Sequence, residues 1–224
     1  MGYRVAMAGL SRDRAVDRLE AIVEAVEAEV MPVPVREVWA FGDVALGLDP
    51  VERLDVYVTK DVLLRDDAPD RVEELEARFG VKGIGRTVRA EWAEANPDLV
   101  RSNDAGHAAP EKCLAAHLLP ADEPAHLEVC NTGFQDNVTQ RLKGALGSGQ
   151  YERALDPRGV CLWAEGERSP TAFQQLRAGD YVFPTLAESL EMIGAEPEEA
   201  EAVAEALREY RAAQDGATVR GDVV

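Results

Sequence analysis

The chain has 224 residues, 42 acidic and 24 basic, for a formal charge of −18. An apolar fraction of 46% supports a folded protein of one large or two small domains and excludes long disorder. The negative field repels phosphate backbones and anionic lipid, which excludes DNA and membranes as partners of the bulk surface.

The basic residues are skewed toward arginine, with lysine only at Lys60, Lys82, Lys112 and Lys143. An acid-rich, alanine-rich, lysine-poor chain has the composition of a salt-adapted haloarchaeal protein. Molar salt shrinks the Debye length to about 3 Å, so self-repulsion within the fold is screened. The opening MGYRVAMAGLSRDR holds too short an apolar stretch for a signal peptide, and no apolar run approaches the roughly 18 residues of a membrane span. Cys113, Cys130 and Cys161 form no close-spaced pair, so neither a disulfide framework nor a zinc knuckle is expected. The expectation is a soluble, cytoplasmic protein.

Ser11 caps a helix whose apolar residues Ala15, Leu19, Ile22, Val23, Val26 and Val30 recur in steps of mostly three and four, and Pro32 and Pro34 end it. VREVWAF (35–41) alternates and reads as a strand, the turn GLDP follows, and LDVYVT (54–59) is a second strand. Pro69 opens a helix with Val72, Leu75 and Phe79 on one stripe and Gly80 as its stop. VKGIGRT is a glycine-punctuated loop or short strand, and Val88, Trp92 and Ala95 suggest a helix ended by Pro97.

KCLAAHLL (112–119) and HLEVCN (126–131) read as two strands joined by PADEP. Thr132 and Gln135 form a capping-box pattern for a helix carrying Val138, Leu142 and Ala145, and GVCLWAE is a further strand. Helices then begin at Ser169–Pro170, at Thr185 with Glu188, and at Pro197, and the last ten residues are expected to fray. The predicted fold is α/β or α+β: a mixed sheet with flanking helices. An α/β domain over 1–168, a helical subdomain over 169–214 and a tail over 215–224 are expected.

FGDVALGLDPVERLDVYV (41–58), entered from a strand and preceded by a helix, resembles the nucleotidyltransferase fold of the DNA polymerase beta superfamily. In that family a strand enters a glycine turn that approaches the triphosphate, and a second strand carries two carboxylates one residue apart. Those carboxylates clamp magnesium ions on the phosphates, and a later strand supplies a third. The resemblance places Gly42 at the turn, Asp55 at the second carboxylate and Glu128 as candidate for the third. It departs at Asp43, where serine or glycine is usual, and at Arg53, which stands where the first carboxylate belongs. It thus implies a degenerate nucleotidyltransferase-like core, a pseudoenzyme that binds a nucleotide with magnesium, or a protein partner. An enzyme using Asp43, Asp55 and Glu128 as a rearranged trio is the rival reading, and a plain protein-interaction module built on the C-terminal helices is a third. The chain, HLEVCNTGFQDNVTQRLK (126–143) above all, also resembles an uncharacterised haloarchaeal family.

Two smaller constellations stand apart from that resemblance. If the strands around PADEP pair as a hairpin, Leu114, Ala116 and Leu118 share an apolar face with Ala125, Leu127 and Val129. The other face then opposes Cys113 to Cys130 and His117 to His126, so His117, His126 and Glu128 form a candidate transition-metal set. Lys82, Arg86 and Arg89 flank Gly83-x-Gly85 and form, with Gly42, the candidate phosphate-binding groups.

Overall fold

The computed structural model of the chain describes residues 9–28, 31, 33–60, 110–120 and 123–221, with positions 70, 73, 77, 81–82, 87–89, 95 and 107–108 between them. Helix α1 (Arg12–Ala28) starts as its sequence dictates: Ser11 Oγ accepts from the Arg14 amide at 3.3 Å. Its stripe of Ala15, Val16, Leu19, Ile22, Val23 and Val26 is buried. Strand β1 (Val35–Phe41) then turns through residues 42–47 and returns as β2 (Leu54–Lys60), antiparallel to it, with Phe41 opposite Asp55. All seven residues of β2 are buried, including Asp55, Thr59 and Lys60, so it is a central strand covered on both faces.

Strand β3 (Val81–Lys82), β4 (Thr87–Arg89) and β5 (His107–Ala108) make a small antiparallel sheet of their own. Helix α2 (Pro110–Leu118) leads to β6 (Ala125–Cys130), which lies parallel to β2 with Asp55 beside His126 and Tyr57 beside Glu128. Helix α3 (Phe134–Ser148), a 3-10 turn (Tyr151–Arg153), β7 (Gly159–Ala164) and β8 (Glu167–Arg168) follow. Helices α4 (Pro170–Ala178), α5 (Leu186–Met192) and α6 (Pro197–Ala212) precede β9 (Ala217–Arg220). The main sheet is six-stranded and mixed, in the order β8-β7-β1-β2-β6-β9.

Strand alternation sorts the two faces. Val38, Ala40, Val56, Val58, Leu127, Val129 and Leu162 pack with α1, α2 and α4 in the main apolar cluster. Ala172, Phe173 and Leu176 of α4 belong to that cluster, so the packing runs straight across the boundary expected at residue 168. On the other face Phe41, Tyr57 and Cys130 meet Phe134 of α3, which also stacks on Trp39 at 4.8 Å. A further cluster, with Leu142, Leu190 and Val203, fastens α5 and α6 to α3.

Several expectations are corrected here. Residues 110–118 are helical, so the hairpin across PADEP does not exist. Pro110 at the first helical position and Glu111 in the first turn are start signals. Buried Cys113, Leu114 and Leu118 share one helix side, although Leu114-Ala116-Leu118 imitates strand alternation. Cys113 and Cys130 are accordingly not cross-strand partners, and neither is in a disulfide. Residues 217–220, expected to fray, form β9 at the sheet edge. The N-cap of α3 is Gly133 without a side-chain cap, and Thr132 does not serve. Glu37 of β1 reaches across instead: its Oε2 accepts from the Phe134 amide at 3.2 Å.

Candidate functional site

Asp55 and Phe41 lie opposite each other at the β1–β2 turn, and β6 continues the same face with His126 and Glu128. Alternation points these three polar side chains away from the aliphatic face and toward α6 and the C-terminal strand. Gly42 is held at φ +65°, a left-handed backbone that favours glycine, and a side chain there would run into Asp55 Oδ2. The turn thus packs directly on the acid. The resulting cleft, about 100 Å³, is lined by Gly42 and by five arginines, Arg53, Arg158, Arg208, Arg211 and Arg220. Three carboxylates face them, Asp55, Glu128 and Asp156. An excess of guanidinium groups inside a chain of charge −18 marks a local reversal of the protein's field.

Arg53 Nε and Nη2 both close on Asp55 Oδ1, at 2.7 and 2.5 Å. Arg211 of α6 spans two acids: Nη1 donates to Asp43 Oδ1 at 2.5 Å, and Nη2 lies 3.0 Å from Asp55 Oδ2. That second contact is a charge contact alone, because no hydrogen bond reaches the buried Oδ2. Asp43 Oδ2 accepts the Glu52 amide at 2.9 Å, which ties the turn to the head of β2. Burial pushes the Asp55 carboxyl above the usual aspartate value, offset in part by Arg53 and Arg211.

Glu128 is held differently. His126 Nε2 donates to its Oε1 at 2.9 Å, Arg220 Nε donates to the same oxygen at 2.6 Å, and Arg141 Nη1 donates to Oε2 at 2.9 Å. Burial opposes ionisation of this carboxyl, but the His126 hydrogen bond and the charges of Arg220 and Arg141 overcome it and hold the group well below the ordinary range. On the other side of the ring, His126 Nδ1 is hydrogen-bonded to the Thr218 hydroxyl at 2.7 Å. For Arg211 and Arg220 burial disfavours charge, yet Asp55 and Asp43 on one and Glu128 on the other raise both above the ordinary arginine value.

A magnesium clamp needs carboxylate oxygens that face an ion. Here Asp43, Asp55 and Glu128 each face guanidinium groups, so the residues as they stand do not fit the two-metal arrangement that the resemblance implies. Among the described residues no group of three or more His, Cys, Asp or Glu could hold a metal ion.

A model of the family of unknown function DUF7095 matches residues 11–224, a span that takes in every described element from α1 to β9. The chain belongs to that family. No curated protein and no solved structure matches it. Among the described residues no helix is long and apolar enough to cross a membrane.

The structure gathers Gly42, Asp43, Asp55, His126 and Glu128 at one end of the sheet. It does not bring His117 to them. His117 sits on α2 and lines a second, largely apolar cavity of about 350 Å³ with Leu54, Leu118 and Ala125 on the opposite face. That cavity is the larger, but it holds none of the chemistry described above. Lys82 and Arg89 fall on β3 and β4 of the small sheet, and Arg86 lies outside the described residues. Arg141, Arg211, Gln214, Thr218 and Arg220 were missed. Their partners are 13 to 168 residues away, and the one signal available was the high arginine count.

Proposed function

We propose that this protein is a catalytically degenerate nucleotidyltransferase-like binder, a pseudoenzyme that holds a phosphate-bearing ligand such as a nucleotide and acts as a binding or regulatory partner in a salt-rich cytoplasm. The observation that carries this reading is the Arg53 guanidinium on Asp55 Oδ1. A cation fixed by covalent attachment stands where the nucleotidyltransferase resemblance would place a metal ligand. It removes one carboxylate and repels a divalent ion from the other. Phosphoryl transfer by the two-metal route loses its electrostatic clamp, while affinity for phosphate keeps a source in the cleft arginines, among them Arg158, paired with Asp156 at 2.8 Å, and Arg208, paired with Glu205 at 2.8 Å.

Calorimetry with ATP and GTP in molar KCl tests this directly, with magnesium and then with a chelator. The expected result is binding of at least one nucleotide that the chelator leaves unchanged, with no nucleotide turnover. Absence of binding by both nucleotides, or magnesium-dependent turnover, overturns the reading.

A further inference from the structure

The guanidinium groups of the cleft fall into two classes by what already holds them. Arg53 is fully committed: Nε and Nη2 go to Asp55 and Nη1 to Gln214. Arg220 is committed as well, with Nε on Glu128, Nη1 on the Glu152 carbonyl and Nη2 on the Ala154 carbonyl. Arg211 bridges Asp43 and Asp55. These three are fixed parts of the fold. Arg158 gives Nε and Nη2 to Asp156, at 2.9 and 2.8 Å, and among the described residues its Nη1 makes no hydrogen bond. Arg208 pairs with Glu205 at 2.8 Å, one turn back on α6. The side chains of that pair are 58% and 62% exposed, and a surface pair of this kind holds its members weakly, more weakly still in salt.

Three properties of the cleft define what these two arginines can take. Its formal charge is positive: among the described residues six guanidinium groups, Arg141 included, meet five carboxylates, Asp43 and Glu205 included. That excess disfavours a divalent cation and favours an anion. Its size, about 100 Å³, is the room of roughly three water molecules in the liquid, well short of the roughly 300 Å³ at which pockets for drug-sized molecules begin. A single tetrahedral oxyanion group matches that space and a triphosphate chain does not. The rest of the lining is largely aliphatic, with Leu46, Leu155, Leu186 and Leu207, which suits an apolar body attached to the anion.

We propose that the cleft is a seat for one terminal phosphomonoester group, held between Arg158 Nη1 and the guanidinium of Arg208, with the rest of the ligand along the leucine wall or outside. A phosphomonoester carries about two negative charges at neutral pH and offers three terminal oxygens, a match for two guanidinium groups that come from different elements. Arg208 reaches it by releasing Glu205, and Arg158 without leaving Asp156. Asp156 stays neutralised, because both its oxygens accept from Arg158. The proposal rests on the phosphate-binding reading of the same cleft and narrows it to ligands with a free end phosphate.

Calorimetry on the full chain in molar KCl without magnesium tests it with ATP, GTP, inorganic phosphate, phenyl phosphate and cyclic AMP, whose one phosphate is a diester with no terminal group. Phenyl phosphate is expected to bind at least about tenfold more tightly than inorganic phosphate and to displace bound nucleotide, whereas cyclic AMP is not expected to bind. Arg208→Ala, a change on an exposed helix face, is expected to weaken nucleotide and phenyl phosphate alike by about tenfold or more and to leave the urea unfolding midpoint unchanged. Nucleotide that phenyl phosphate does not displace, binding of cyclic AMP as tight as that of ATP, or affinity indifferent to Arg208→Ala overturns the seat and leaves the nucleotide-binding reading standing. Phenyl phosphate bound with ATP and GTP refused supports the seat and overturns that reading. Binding of none of these probes overturns both.

Discussion

Arg53 and Asp55 stand two residues apart at the head of β2, and two nitrogens of one converge on a single oxygen of the other, Nε at 2.7 Å and Nη2 at 2.5 Å. Asp55 is 1% exposed at its side chain and Arg53 11%, so both charges are largely out of water. Removing one member leaves the other buried, which costs about 3–5 kcal/mol. Arg53→Ala is therefore expected to lower the urea unfolding midpoint substantially. Arg53→Lys is expected to recover only part of the loss, because an ammonium cannot reproduce the fork. A midpoint for Arg53→Ala equal to wild type would show the pair to be idle.

Acid stability follows from Glu128. Its carboxyl is held below the ordinary glutamate value of 4.5 because His126, Arg220 and Arg141 outweigh burial. A carboxyl depressed in the fold stabilises it fully above its unfolded pKa, and this contribution is lost as pH falls below about 4.5. Asp55 has the opposite sign: raised by burial, its ionisation weakens the fold once pH exceeds its unfolded value of 3.8. Urea midpoints between about pH 7 and pH 3 are expected to fall on the acid side, with the gap between wild type and Glu128→Gln closing on acidification. A gap constant with pH would remove Glu128 from this role.

Glu37 is a tertiary cap. Its Oε2 accepts from Trp39 Nε1 at 3.1 Å, Thr59 Oγ1 at 2.9 Å and the Phe134 amide at 3.2 Å. Glu37→Ala strands three donors and is expected to cost about 1–3 kcal/mol in chemical denaturation. Glu37→Gln keeps an acceptor oxygen and is expected to cost less. Equal losses in the two variants would mean that the acceptor does not matter.

Salt separates surface from interior. The net charge of −18 repels itself in dilute buffer, whereas the Glu128 cluster is buried and little screened. The unfolding midpoint of wild type is expected to rise between about 0.2 M and 2 M KCl as that repulsion is screened. A flat or falling midpoint would argue against a salt-adapted surface.

The strands β1, β2, β6 and β7 are legible in the sequence because VREVWAF, LDVYVT, HLEVC and GVCLWAE carry β-branched or alternating residues that few helices would tolerate. The stops are legible too: Gly179 and Gly149 adopt left-handed C-caps, and Thr185 with Glu188 forms its capping box. Helix α2 was lost because Leu114, Ala116 and Leu118 satisfy a period of two as well as a helix side, and Pro110 was the tiebreaker. Strand β9 was lost because ATVR is short and polar, and its register is fixed by Glu128 opposite Arg220 rather than by anything local. For the same reason the acids of the cleft were legible and their cations were not: the acids sit on strands with a readable pattern, whereas the arginines gain meaning only once α6 and β9 are folded back.

The antiparallel pair β1–β2 sits at the middle of the six-stranded sheet yet comes from one stretch, residues 35–60, joined by residues 42–53. Strands β7 and β6 flank it from distant stretches of chain, so each pairing closes a long loop at an entropic cost. Collapse to the native topology is therefore slow beside a helical bundle of this size.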